Sequence, residues 1–263
     1  MPIATDPLFA GAIPELYERH LVPLIFEPYA EDLARRLRGA KPARVLEVSA
    51  GTGVVTRALA RALDPAAEIV ATDLNPAMLE QAAARGTVRP VRWQPADAQA
   101  LPFADGEFDA VVCQFGVMFF PDKVQAYREA RRVLKPGGRY LFNVWDALAH
   151  NGFAEAVEAA ALALQPPAGF LGRTPYGHHD RTRIAADLER AGFAAPRIEV
   201  LGAVSRAASA QIPALAFVQG TPLRNEVRDL AAATAAATRE IERRYGPGPV
   251  EAGIQALVIE AAR

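Results

Sequence analysis

Along roughly the first 145 residues, short apolar runs of strand length alternate with longer segments in which apolar positions recur at helical spacing. The runs at Arg44–Val48, Glu68–Thr72, Val91–Pro95, Ala110–Gln114 and Tyr140–Val144 predict strands. Helical spacing over Val54–Leu63, Ala77–Arg85 and Asp122–Leu134 predicts helices, and a shorter segment marked by Pro and Gly joins the third strand to the fourth. This is the alternation of βαβ units laid into a parallel sheet. Asn75-Pro76 reads as an N-cap followed by proline at the first helical position, and Gly86 as the residue that ends that helix.

Beyond Val144 the alternation loosens. Phe153–Leu164 and Arg181–Ala191 predict helices, and the proline- and glycine-rich QPPAGFLGRTPYGHH between them predicts a loop over a site. Arg197–Val204 and Gln255–Glu260 carry strand-like content, separated by an alanine-rich helical stretch around Glu226–Tyr245. With no internal repeat and no low-complexity linker, 1–263 reads as one domain. Its parts are N-terminal lid helices over 1–38, a ligand-binding core over 39–205, and a helical insertion with a final strand over 206–263.

Composition narrows the class. A chain that is 51% hydrophobic and 22% charged can bury a large core, which excludes disordered and fibrous proteins. A net charge of -1 supplies no basic excess for nucleic acid or an anionic membrane, so a small-molecule substrate is expected. Cys113 is the single cysteine, which rules out an internal disulfide and a multi-cysteine zinc site. The opening MPIATDPLFAGAIPELYERH lacks a basic segment before an apolar one, and no apolar run nears the roughly 20 residues a membrane helix needs. An unexported cytoplasmic protein is expected; composition says nothing of its oligomeric state.

The chemistry begins at Glu47-Val48-Ser49-Ala50-Gly51-Thr52-Gly53, a turn between the first strand and its helix that puts bare backbone N–H groups beside a ligand. A dinucleotide fingerprint starting at Gly51 needs glycine or alanine at the position of Thr56, and no Gly-Lys-Ser/Thr ending marks a P-loop. Glu47, at the strand end, is expected to point its carboxylate at the ligand, repelling a pyrophosphate and attracting a cation. Unit charges about 4 Å apart interact by roughly 4 kcal/mol at an effective dielectric near 20. S-adenosylmethionine, with a sulfonium, an ammonium and no phosphate, meets that demand. Asp73, at the end of the second strand, can accept both hydroxyls of a ribose, and Asp97, beside small residues, suits an adenine amino group. Each aspartate could instead cap a turn.

These stations resemble the class I S-adenosylmethionine-dependent methyltransferases, in particular the branch similar to quinone-biosynthesis enzymes, over roughly residues 28 to 205. The family pattern acidic-x-Gly-x-Gly-x-Gly appears as Glu47, Ser49, Gly51 and Gly53, with serine at the first glycine; LPF…FD and Leu-Lys-Pro-Gly-Gly follow in their usual places. The resemblance implies a Rossmann-like α/β fold, its seven-stranded, mostly parallel sheet ordered 3-2-1-4-5-7-6 with strand 7 antiparallel, flanked by helices and helical lid insertions. It implies cofactor contacts from Glu47, Ser49, Ala50, Gly51, Thr52 and Gly53. It places Asp73 on the ribose with Leu74 and Met78 beside it, and Asp97, Ala98 and Gln99 at the adenine. Gln114, Phe115 and Gly116 would run under the cofactor, Tyr17 and Phe26 would close over it, and Met118 and Phe119 would wall the acceptor. The implied reaction is methyl transfer to oxygen, nitrogen or carbon of a small organic acceptor, leaving S-adenosylhomocysteine.

In-line displacement from a sulfonium gains much of its rate from positioning, so a nitrogen, sulfur or carbanion acceptor needs no protein base, whereas an oxygen acceptor wants one. His20, His150, His178 and His179 are the candidates, with His178, His179 and His20 the ones singled out. The adjacent His178 and His179 diverge on an extended chain and have only Asp180 nearby, so no metal site is expected. Two other functions compete: an NAD(P)-dependent oxidoreductase, disfavoured by Glu47, Thr56 and the lack of a Tyr-x-x-x-Lys pair, and a non-catalytic S-adenosylmethionine-binding protein.

Overall fold

A computed structural model describes residues 13–263, so the first twelve residues of the expected lid lie outside the described part. The described chain begins in a continuous helical segment: α1 (Ile13–Leu16), a π-helical stretch (Tyr17–Phe26) containing Pro23, and α2 (Glu27–Arg38). Then β1 (Arg44–Val48), α3 (Val54–Ala62), β2 (Glu68–Asp73), α4 (Pro76–Arg85), β3 (Arg92–Pro95), β4 (Phe108–Gln114), α5 (Lys123–Val133) and β5 (Leu134–Trp145) follow. After these come α6 (Gly152–Leu164), α7 (Phe170–Arg173), α8 (Arg181–Arg190), β6 (Arg197–Ala207), α9 (Gln211–Gln219), α10 (Leu230–Tyr245) and β7 (Val250–Ala262).

The seven strands form one sheet in the order β3-β2-β1-β4-β5-β7-β6. Pairing is parallel from β3 through β5, and β7 runs antiparallel to both β5 and β6, as the family pattern implied. Strand period divides β1 between the two faces of the sheet. Val45 joins Leu33, Leu37, Val55 and Leu59 in a core beneath α2 and α3, whereas Leu46 and Val48 join Tyr127, Tyr140, Phe142 and Phe153 in the larger core under α5 and α6.

Local chemistry sets the boundaries. Asn75 caps α4, its side chain accepting from the Ala77 amide at 3.0 Å, and Gly86 ends that helix at φ +74°. Lys135-Pro136-Gly137-Gly138 is an excursion within β5, with Gly137 at φ +78°. Leu134 already pairs with Phe108, pairing resumes at Ala110–Arg139, and the Lys135 ammonium pairs with Asp109 at 2.7 Å. The segment expected to be a loop over the site holds the short helix α7. Helix α9, whose sequence QIPALAFVQ carries an internal proline, is absent from the expected elements; its apolar content is the signal that could have found it.

Asp180, weighed above as a neighbour of the histidine pair, caps α8 by accepting the Thr182 and Arg183 amides at 2.9 and 3.1 Å. Removing this cap with Asp180→Ala is expected to cost about 1 kcal/mol. The measurement is urea unfolding, with a lower midpoint at unchanged slope.

Candidate functional site

The carboxyl ends of β1, β2, β3 and β4 open onto one cavity, the place where open α/β sheets hold ligands. Its near end is a set of backbone turns held by two aspartates. Asp73 accepts the Gly51 amide on one carboxylate oxygen and the Asn75 amide on the other, both at 2.8 Å. Asp97 accepts the Gln99 amide at 2.8 Å, so it closes a turn and also faces the cavity. Among the described residues lining the cavity, Asp73 and Asp97 carry charge, and no lysine, arginine or histidine does.

The far end is apolar and assembled from distant segments. The Phe115 ring stacks on Trp145 with centroids 3.8 Å apart and planes 7° from parallel. Trp145 stacks in turn near Tyr176 at 5.6 Å, and Phe26 bridges Phe115 at 5.6 Å to Tyr17 at 4.9 Å. Phe115 sits at φ +49°, its amide donating to both the backbone and the side-chain oxygen of buried Asn143 at 3.1 and 3.0 Å. Leu21, Ile25, Phe170, Leu171 and Phe217 complete this wall. Burial pushes the Tyr176 hydroxyl well above its ordinary range, and burial, then the nearby Asp73 and Glu18 charges, raise that of Tyr17, so neither serves as a base near neutral pH. The Thr221 hydroxyl is spent on the Phe217 carbonyl at 2.7 Å.

Residues 46–142 match the family model of a methyltransferase domain. The chain is 31% identical over 204 residues to the ubiquinone/menaquinone biosynthesis C-methyltransferase UbiE of Stutzerimonas stutzeri, across 72% of this chain and 75% of that one. The chain belongs to the class I S-adenosylmethionine-dependent methyltransferases. The UbiE of Pseudomonas aeruginosa is 33% identical over 165 residues, spanning 64% of its own length. The fold matches that of the YcgJ protein of Bacillus subtilis with a TM-score of 0.59 at 21% identity, covering 90% of this chain and 98% of that one. The methyltransferase transfers the methyl group of S-adenosylmethionine to a small molecule, and the cavity suits that cationic, phosphate-free cofactor: it offers two carboxylates and, among the described residues, no cation.

Of the positions expected to meet the cofactor, Ser49, Gly51, Asp73, Leu74, Met78, Asp97, Ala98, Gln99, Gln114, Phe115, Gly116, Tyr17 and Phe26 line this cavity. Glu47, Ala50, Thr52 and Gly53 do not, each being packed against the interior instead. Ala50 packs on Ala71 and Leu79, Thr52 is buried, and the space beside the Gly53 Cα is filled by Ala82 and Trp93. Glu47 corrects the charge argument most. One pleat beyond Val45, it faces α3, where its carboxylate accepts the Thr56 hydroxyl at 2.6 Å and is only 2% exposed. Burial pushes its pKa up to about 8, against the opposing Thr56 bond and Arg57 charge. The anionic character of the cavity therefore comes from Asp73 and Asp97. The alternation that turns Glu47 to the helix face is itself a signal present in the strand's sequence.

None of the candidate histidines reaches the cavity. His178 is buried beside Lys123 and Arg183, its pKa lowered to about 4 mainly by burial and then by those cations. His179 Nδ1 lies 2.8 Å from the Tyr176 carbonyl, and His20 is on the lid segment away from the lining. Among the described residues no three His, Cys, Asp or Glu side chains cluster to hold a metal, and no helix is long and apolar enough to cross a membrane. Trp145, Phe170, Leu171, Tyr176 and Phe217 went unassigned in the sequence because no local motif marks them.

Glu47 also makes a stability prediction. An unfolded carboxyl titrates near 4.5 and this folded one near 8, so between those values the folded state keeps a proton that the unfolded chain has released. That contribution is fully present below the lower value and is lost as pH rises towards the higher. Thermal unfolding from about pH 5 to pH 8 should show the native midpoint falling more steeply than that of Glu47→Gln; parallel curves would contradict it.

Proposed function

We propose that this methyltransferase holds its cofactor against Ser49, Gly51, Asp73, Asp97, Ala98, Gln114, Phe115 and Gly116, and methylates an uncharged, ring-bearing acceptor at carbon. The observation that carries the acceptor class is the far wall: aromatic and aliphatic on every side described, with no cation to receive a carboxylate or phosphate. Burying an unpaired charge there costs far more than burying a neutral ring. Two UbiE relatives are named C-methyltransferases, which supports carbon as the acceptor atom.

When bound, S-adenosylmethionine supplies an electrophilic methyl group on sulfur. Asp73, which already holds the Gly51 and Asn75 amides, would receive the ribose hydroxyls, and Asp97 the adenine amino group. Their charges favour a cationic ligand over a dinucleotide. The Phe115–Trp145 stack and the rings of Tyr17 and Tyr176 orient the acceptor and exclude water. Among the described residues no lining histidine or ionisable tyrosine takes a proton, so the chain works by placement on an acceptor carbon that is nucleophilic on its own.

Calorimetry with S-adenosylhomocysteine tests the near end. Asp73→Ala is expected to weaken binding by about tenfold or more, the loss of hydrogen bonds to a charged group; unchanged affinity would remove Asp73 from the ribose. Release of S-adenosylhomocysteine across neutral phenols and quinols, set against carboxylated and phosphorylated versions of the same rings, tests the far end. Neutral rings should turn over with kcat/KM about tenfold or more above their anionic versions, and the reverse order would overturn the acceptor assignment.

A further inference from the structure

Two cavity residues each occupy the other's natural backbone position. Ser49 adopts φ +57°, the left-handed region that favours glycine and strains a residue bearing a side chain. Gly116 adopts φ -97° and ψ -37°, which any residue accepts, so conformation gives no reason for glycine there. Space does. A Cβ at residue 116 would lie 2.5 Å from Ser49 Cβ, 2.7 Å from Ser49 Oγ and 2.8 Å from Cys113 Sγ. Ser49 Oγ and Cys113 Sγ both border this space, so the Ser49 side chain is directed into the β4 turn.

We propose that Ser49 is a positioning residue, a wedge from the β1 turn seated in the room left by Gly116, and that this pair sets how closely the two turns approach the cofactor. The glycine that the family pattern places at the β1 turn has in effect moved across the contact to residue 116. The wedge also braces the neighbouring Phe115, whose ring makes the stack with Trp145. The inference rests on the assignment of this cavity to S-adenosylmethionine.

The test is a four-protein cycle of the native chain, Ser49→Gly, Gly116→Ala and the double variant. S-adenosylhomocysteine affinity is read by calorimetry and unfolding by a thermal scan. Gly116→Ala should weaken binding by about tenfold, and Ser49→Gly by a few-fold without lowering Tm, because glycine suits φ +57° even as the wedge is lost. The double variant should recover at least about threefold of the affinity that Gly116→Ala loses, since it clears both Ser49 atoms and leaves only Cys113 Sγ, 2.8 Å from the new Cβ, to shift. A double variant as weak as Gly116→Ala, a Gly116→Ala protein that binds like the native chain, or a Ser49→Gly protein that loses Tm but not affinity would each overturn the proposal. Should Gly116→Ala alone be insoluble, a soluble, binding double variant supports the wedge and an insoluble one refutes it. Native protein that fails to bind S-adenosylhomocysteine refutes the cavity assignment itself, and the wedge with it, which is distinct from native binding with an uncoupled pair.

Discussion

The Asp73 carboxylate, bound at once to the Gly51 and Asn75 amides, is the interaction on which the rest of the site depends. Parallel pairing sets β1 and β2 side by side, with Val48 opposite Thr72, so that Asp73 arrives level with the turn that leaves β1. One side chain thereby fixes the left-handed turn through Ser49, Gly51 and Gly53 and also the start of α4. Hydrogen bonds to an ionised acceptor are among the stronger ones available to a protein, and these two join neighbouring βα units at the cavity. Ala50 adds a third tie, its amide donating to the Thr72 carbonyl at 2.8 Å.

Charge in this methyltransferase is sorted by burial. Glu47 lies deeper than the turn it precedes, gains a hydroxyl partner in Thr56 and is pushed towards its neutral form. Asp73 and Asp97 lie at the cavity edge, half-buried, each accepting backbone amides. A carboxylate sealed in the core beside Val45 would require costly desolvation to ionise.

The apolar end of the cavity is assembled differently. Tyr17 and Phe26 come from the N-terminal helical segment, Phe115 from the end of β4, Trp145 from the end of β5, Tyr176 from the loop after α7, and Phe217 from α9. The lid segment is held by Glu18, whose buried carboxylate pairs with Arg57 of α3 at 2.9 Å and Arg85 of α4 at 3.1 Å. Glu158 on α6 accepts the Gly172 amide at 2.9 Å, tying α7 into place with the Phe170 and Leu171 it contributes. Such a wall can change its shape through loop and lid residues while the sheet and the cofactor turns stay as they are.

Apolar period, glycine and proline placement and the short motifs determined the strand set, the sheet order through the family pattern, and the aspartates at the ends of β2 and β3. Each is a local property, written within a few residues of where it acts. Histidines offered themselves as candidate bases and Glu47 as a carboxylate aimed at the ligand; the tertiary structure sets those histidines off the cavity lining and turns Glu47 to α3. Which face of a strand a residue takes, what buries it and whether water reaches it depend on packing from elsewhere in the chain: α3 over Glu47, and α5 and α8 around His178. The aromatic wall and the exchange between Ser49 and Gly116 belong to the tertiary structure for the same reason. Residues 67 positions apart have no shared local pattern, and only the pairing of β1 with β4 brings their turns into contact.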